Sequence, residues 1–458
     1  MAGTPAQTTS QWSSRFAFIM AAVGSSVGLG NLWRFSAEAG SNGGGAFIII
    51  YLACVLLIGI PVLMSEYIIG RAGNAASAIR SVQDVSQRSN VSTNWSVLGM
   101  TGMVASFLIV SFYCVVAAWV VMYIPKFLFG GFDGMNAQAI SDQFGSTISN
   151  PMGVFPYFTG FALLTIWLVS RGVGDGIELA SKILMPLFFL LLIGLSLYSL
   201  YLGFSTTVTT EAGFESNGAA EALSFLFRPD FGAITPSVAT AALGQAFFSI
   251  GLGSAIMITY GSYLPNDISI PRSAITVGLI DTGVALIAGL AIFPIVFANG
   301  LDVNSGAGLF FETLPVALSN APLIGGAFFF LAIFAAVTSS ISLLEPSVAW
   351  AIEKFNLSRP KAAILVGGLM WAIGLISVFS LAFMDFIDGS LTGAIMLPLT
   401  GLLTVLFVGW KMDKKMVDEQ MAGVSSGLRA AMFFLVRYIA PVFVGIVLIA
   451  GIVDKFFS

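Results

Sequence analysis

The 458-residue chain contains no histidine. That absence removes histidine-based metal sites, general bases and proton relays, and with them the hydrolase triads that need an imidazole. Cysteine is nearly absent as well. Cys54 and Cys114 are the two present, and both lie in apolar runs, where a free thiol behaves as a small buried hydrophobe rather than a disulfide partner or metal ligand. Charge is scarce: Asp, Glu, Lys and Arg make up 9% of the chain against 57% apolar residues, far from soluble globular usage. The net charge of -4 leaves no basic surface for nucleic acid. What is present instead is apolar sequence in long blocks, which marks a membrane protein with the lipid bilayer as its surroundings.

Apolar windows fall near residues 15 to 39, 44 to 70, 97 to 129, 154 to 170, 177 to 203, 237 to 261, 273 to 299, 322 to 352, 361 to 379, 389 to 410 and 429 to 453. Their lengths suit bilayer-spanning helices of about 20 residues and exceed the roughly ten-residue alternating strands of an outer-membrane barrel. The expected fold class is an all-α polytopic membrane protein of about eleven helices. Residues 15–453 are read as a single transmembrane domain, residues 1–14 as a cytoplasmic tail without a charged leader or cleavage site, and residues 454–458 as an extracytoplasmic tail. Orientation comes from the basic residues of alternate loops: Arg71, Arg80 and Arg88; Arg171; Arg272; Lys354, Arg359 and Lys361; Lys411, Lys414 and Lys415. Intervening loops such as 130–153 and 300–321 carry only acids. The positive-inside rule then places the N-terminus in the cytoplasm and, with an odd span count, the C-terminus outside.

Two helices contain a matched interruption. The first reads Ser26-Val27-Gly28-Leu29-Gly30-Asn31 and the sixth Ser249-Ile250-Gly251-Leu252-Gly253-Ser254. Two glycines inside a helix cost about 2 kcal/mol of propensity. One such pair is explained by close helix packing, but two copies, each opening a set of five spans, fit an inverted repeat whose unwound segments line a binding cavity. Freed carbonyls there can ligate a cation, and half-helix N-termini can meet an anion.

The residues around these breaks resemble the neurotransmitter:sodium symporter family, with its five-plus-five inverted repeat. The likeness rests on Gly28-Leu29-Gly30-Asn31-Leu32-Trp33-Arg34-Phe35, Asn42-Gly43-Gly44-Gly45-Ala46-Phe47, Gly59-Ile60-Pro61 with Glu66, Gly244-Gln245-Ala246-Phe247-Phe248-Ser249, Thr259-Tyr260-Gly261-Ser262-Tyr263 and Thr338-Ser339-Ser340. It implies a sodium-coupled carrier, not an enzyme, with two Na+ sites and no organic cofactor. One Na+ site would use Ser26, Asn31, Ser249 and the acid of the seventh helix, Asp281, together with the substrate carboxylate. The other would use Gly24, Val27, Ala335, Thr338 and Ser339. Taken alone, Thr338 and Ser339 read equally as hydroxyls bonded back to their own helix. Asp281 alone reads as a functional group or a structural ion pair; through the family it reads as a fixed negative charge that makes transport independent of chloride.

The same resemblance implies an α-amino acid as the small-molecule partner, because Gly28 stands where monoamine carriers have Asp. Tyr113 would donate to its carboxylate beside Ser26, Gly28, Gly30 and Gly253 of the breaks, and carbonyls near Phe248 and Ser249 would accept from its ammonium. Ile109, Phe248, Gly251, Ser254, Ser339 and Leu343 would surround its side chain, leaving space for a large hydrophobic or aromatic group. An outer gate of Arg34 and Asp388 above Phe248 is expected. The inner gate departs from the family: Thr9 stands where an Arg is usual, so Glu353 is left with Arg15 as its candidate partner, while Tyr263, Glu178 and Glu345 match an inner hydrogen-bond cluster. No twelfth helix follows, as in the eleven-helix bacterial branch, which implies a cytoplasmic-membrane location and leaves the oligomeric state open. Rival readings are a proton-coupled amino-acid carrier using Glu66, Asp281 or Glu345, and an amino-acid-binding membrane sensor.

Overall fold

The computed structural model describes residues 11–209, 215–303 and 308–457. Thr9, most of the N-terminal tail and Ser458 lie outside the described residues. Among the described residues nine continuous apolar helices are long enough to cross a membrane: Gly45–Gly73, Thr93–Leu128, Pro151–Ser170, Val173–Ser205, Ile270–Ala298, Pro322–Phe355, Arg359–Phe379, Leu381–Lys411 and Ser426–Phe456. Two more spans are broken. The first runs Arg15–Ser26, bends by 56° and resumes as Gly30–Ser41; the sixth runs Pro236–Ser249 and resumes as Ile256–Ser262. Numbered in chain order, these make spans 1 to 11 among the described residues, with a broken helix opening each five-span repeat and span 11 additional.

Burial sorts the spans into an interior and a lipid-facing shell. The most apolar windows of spans 8 and 3 are 78% and 72% buried, against 22% in span 11. Span 8 packs along span 3, span 5 along span 7, and the first half of span 1, Arg15–Ser26, crosses spans 5 and 8. Large side chains left exposed on the outer spans, such as Leu190, Leu197, Ile364, Leu369 and Ile449, are satisfied by lipid rather than by protein.

The loops carry structure that apolar windows do not show. Ala78–Arg88 is a helix capped by the Ser77 hydroxyl, which accepts from the Arg80 amide, and Ala137–Ile148 is one capped by Asn136. Thr207–Thr209 pairs antiparallel with Glu215–Asn217, a small β-ribbon that qualifies the all-α expectation. Short β-branched runs such as Thr206-Thr207-Val208-Thr209 favour strand over helix. Span 10 also holds a widened turn over Phe386–Met396, where the Thr392 hydroxyl donates to the carbonyls of Ile387 (2.8 Å) and Asp388 (3.1 Å).

Candidate functional site

The two matched breaks keep their glycines for different reasons. In span 6, Gly251 and Gly253 have φ of +72° and +78°, and Ala255 follows at +59°, alternate left-handed positions that side chains oppose; a Cβ on Gly253 would also collide with the Leu397 carbonyl. In span 1 the requirement is close approach. A Cβ on Gly28 would lie 2.8 Å from Ser339 Oγ and 3.2 Å from the Tyr113 hydroxyl, and one on Gly30 would lie 3.0 Å from the Phe248 ring. Gly28 thus clears the space where spans 1, 3 and 8 meet. The span 6 break is held from outside by Glu66 of span 2, whose buried carboxylate accepts from the Gly253 amide at 2.7 Å.

Where the breaks meet, polar groups converge on one buried carboxylate. Asp281 is fully buried. Its Oδ1 accepts from Asn31 Nδ2 at 2.8 Å and its Oδ2 from Ser249 Oγ at 2.7 Å. Asn31 Nδ2 also approaches Ser249 Oγ (3.0 Å), and Asn31 Oδ1 accepts from the Gly28 amide (3.0 Å). The Ser26 hydroxyl links the two breaks through the Ala22 carbonyl (3.1 Å) and the Ile250 carbonyl (3.2 Å). Among the described residues no Lys or Arg lies within ion-pair distance of Asp281, so a structural ion pair is not its role. Burying such a charge costs at least ~2.5 to 3.5 kcal/mol at the bilayer centre; neutral donors offset part of that, and a cation would offset the rest.

A second oxygen cluster lies between the end of the first half of span 1, Arg15–Ser26, and span 8. Ser339 Oγ faces the carbonyls of Gly24, Ser25 and Val27 at 3.4, 3.5 and 3.4 Å, all long for a hydroxyl bond. Three carbonyls released by the helix break thus surround one hydroxyl without closing on it, and a hard cation takes oxygen ligands of this kind. Thr338 differs, because its hydroxyl bonds back to Phe334 (3.0 Å) and Ala335 (3.2 Å) of its own helix. The structure therefore separates two hydroxyls that the sequence left equivalent.

Beside this cluster the Tyr113 hydroxyl accepts from the Leu29 amide at 3.4 Å, at the start of the outer half-helix. Ile109 lies one turn before Tyr113 and Leu343 one turn after Ser339, and both are buried; the Ser254 hydroxyl closes on the Gly251 carbonyl at 2.6 Å. Above them opens a cavity of about 530 Å³ lined by residues including Gly30, Arg34, Tyr113, Phe248, Asp388 and Lys455. Arg34 stacks 4.2 Å over the Phe248 ring, and its carboxylate partner is Glu38 at 3.8 Å, not Asp388. The expected outer pair thus faces one cavity with its latch open.

The opposite end is closed. Trp12 is buried; its amide donates to Tyr263 O (3.2 Å), its indole to Tyr260 O (3.1 Å), and its ring packs edge-on against Tyr260. Tyr263 donates to Glu345 Oε1 at 2.9 Å, and Arg359 pairs with the other oxygen of the same carboxylate.

A model of the sodium:neurotransmitter symporter family matches residues 9–132 and 157–456. The chain belongs to that family. This symporter is 37% identical to YhdH, an uncharacterized sodium-dependent transporter of Bacillus subtilis (strain 168), over 95% of its own length and 96% of the relative's. It is 26% identical to a sodium-dependent nutrient amino acid transporter of Drosophila grimshawi, over 83% of its own length and 67% of the relative's. It superposes on the crystal structure of MhsT in complex with L-phenylalanine with a TM-score of 0.85 and 39% identity, covering 96% of its own chain and 99% of the other. It is a multi-pass membrane transporter and not an enzyme.

The symporter departs from expectation at its inner end. Glu353 pairs with Arg80 at 3.7 Å and accepts from the Ser77 amide; Arg15 is not its partner. Glu178 leaves the Tyr263 cluster and instead holds the N-terminal segment, bonding Ser13 and pairing with Lys182 at 2.6 Å. In the sequence Arg80 and Arg359 read only as orientation charges, and Lys182, Lys455 and Tyr51, whose hydroxyl is 3.5 Å from Ser249 Oγ, carry no role. A signal existed for Arg359: Glu345 lies inside an apolar run and needs a partner.

Proposed function

We propose that this symporter imports a neutral amino acid with a hydrophobic or aromatic side chain, driven by two Na+ ions and without chloride. The observation that carries the reading is the buried carboxylate of Asp281 at the meeting of two helix breaks, paired with no Lys or Arg among the described residues. One Na+ would bind with Asp281, Asn31, Ser249 and Ser26, its charge answering the fixed aspartate, so no anion is needed beside it. The second would bind the carbonyls facing Ser339, with Thr338 and Ala335 alongside. The substrate carboxylate would reach the first ion and the Tyr113 hydroxyl, while Gly28, with no acid of its own, leaves that position to it. The L-phenylalanine in MhsT and the amino-acid transport named for the Drosophila relative support this substrate class.

Alternating access follows from the two ends. The open vestibule above Phe248 belongs on the outside, with Arg34 and Asp388 as its gate; the closed end, with Trp12, Tyr263, Glu345 and Glu353, faces a bacterial cytoplasm. The driving force suffices: each charge crossing 100 mV yields ~2.3 kcal/mol, and a tenfold ion gradient about 1.4 kcal/mol more.

A thermal-shift screen of the twenty amino acids in sodium chloride, sodium gluconate and potassium chloride tests this reading. Large apolar amino acids are expected to raise the melting temperature in both sodium salts and to have no effect in potassium. If no amino acid binds better in sodium than in potassium, or if gluconate abolishes the effect, the reading is wrong in its sodium or chloride part respectively.

A further inference from the structure

The cytoplasmic-side ends of spans 10 and 11 carry a cation that the transport site does not use. Arg437 lies in a widened turn, Leu435–Ile439, of span 11. Its guanidinium carbon is 4.5 Å from the Trp410 ring and 5.6 Å from the Tyr438 ring. The Trp410 indole donates to the Arg437 carbonyl at 2.9 Å, and Gly409 admits the Arg437 backbone, since a Cβ there would stand 3.0 Å from Arg437 Cα. These contacts fix the depth of Arg437 at the last turn of span 10, next to Lys411, where a chain leaves the bilayer. Trp410, Phe434 and Tyr438 are each about half exposed, as suits an aromatic belt at the lipid interface.

The guanidinium is held in place yet lacks an acceptor. Its Nε is buried without a hydrogen-bond partner, and among the described residues it forms no ion pair. Stacking on Trp410 and Tyr438, with Phe433 at 6.0 Å, orients the planar fork but leaves Nε without an acceptor, and such a fork matches a phosphate bidentately. Lys411, Lys414, Lys415 and Arg429 add positive charge nearby; Asp413, Asp418 and Glu419 are the acids of the same connection, and none of them pairs with Arg437. We propose that Arg437, framed by Trp410 and Tyr438, binds the phosphate headgroup of an anionic phospholipid of the cytoplasmic leaflet. The leaflet rests on the orientation proposed above; the headgroup chemistry does not. Bound there, the lipid bridges spans 10 and 11 and supplies the acceptor that the protein withholds.

Native mass spectrometry of the full-length protein, supplied with equal amounts of phosphatidylglycerol and phosphatidylcholine of the same acyl chains, tests this. Wild-type protein is expected to retain phosphatidylglycerol on the order of fivefold over phosphatidylcholine, the weight of one basic group at an anionic interface. Arg437→Gln should lose that preference, Arg437→Lys should keep part of it, and Lys361→Gln, a basic residue at the start of span 9, should keep all of it. Equal retention of the two lipids by wild type overturns the proposal without reference to any variant. So does an Arg437→Gln protein with undiminished preference, or displacement of the lipid by excess inorganic phosphate that is itself retained, which would mark a soluble-phosphate site. Amino-acid binding in sodium should be unchanged in Arg437→Gln, so failure here leaves the transport reading standing.

Discussion

Replacing Asp281 with Asn is expected to lower the apparent sodium affinity of substrate binding at least a hundredfold and to abolish uptake at ordinary sodium concentrations. The variant keeps the shape, can still accept from Asn31 while its amide donates to the Ser249 hydroxyl in place of accepting from it, and removes one negative charge. A unit charge about 4 Å from a monovalent cation, at an effective dielectric of ~20, is worth about 4 kcal/mol, roughly a thousandfold in affinity; compensation by neutral donors brings the expected loss down toward a hundredfold. The apo protein should be no less stable, because a buried carboxylate without a cation is itself unfavourable. Sodium titrations of substrate binding, alongside the apo melting temperature, check both halves. An Asp281→Asn protein with unchanged sodium dependence would remove the carboxylate from the ion site.

The second large effect concerns the inner closure. Glu345 is fully buried inside span 8, and Arg359 reaches it from the start of span 9. Arg359 also donates to the Val169 carbonyl at 2.9 Å, so one guanidinium ties spans 4, 8 and 9. Arg359→Gln should lower stability by about 3 to 5 kcal/mol, the usual consequence of leaving a buried charge unpaired. It should also free Tyr263 and the Trp12 clamp that rests on it, making the cytoplasmic end accessible. The double variant Arg359→Gln, Glu345→Gln should recover much of the stability, since it leaves no orphan charge. Melting curves and cysteine accessibility near Tyr263 measure the two effects. A single variant as stable as wild type, and equally closed, would show that the pair contributes neither.

These two carboxylates show what the sequence makes legible and what it hides. Asp281 stands out because charge is rare in an apolar span, and its neighbours Asn31 and Ser249 stand out because both border a glycine-interrupted helix. Such features are local. The breaks themselves were visible, although one glycine motif has two causes: positive φ at Gly251 and Gly253, and tight approach at Gly28 and Gly30. Partner choice was not visible. Arg15 is the sequence candidate for Glu353, and Arg80 reads only as a loop charge until packing brings Ala78–Arg88 against span 8; Arg359 likewise reads as a loop charge until it turns back to Glu345. Arg34 shows the reverse: its neighbour Glu38, one turn on, follows from helical spacing alone and is the partner in the structure, whereas Asp388 comes from the family resemblance. Hydroxyls on adjacent residues are also indistinguishable in a sequence, and only the direction of each side chain assigns Thr338 to its own helix and Ser339 to span 1.

The central claim is that a sodium gradient alone drives amino-acid accumulation through the cluster around Asp281. Purified protein in sealed proteoliposomes, loaded with potassium gluconate and diluted into sodium gluconate with radiolabelled phenylalanine, measures it directly. The account predicts concentrative uptake that overshoots equilibrium, rises with an inside-negative potential and is unaffected by adding chloride or by a proton ionophore when the potential is clamped. Uptake that persists with potassium in place of external sodium, or that follows an imposed proton gradient instead, would contradict it.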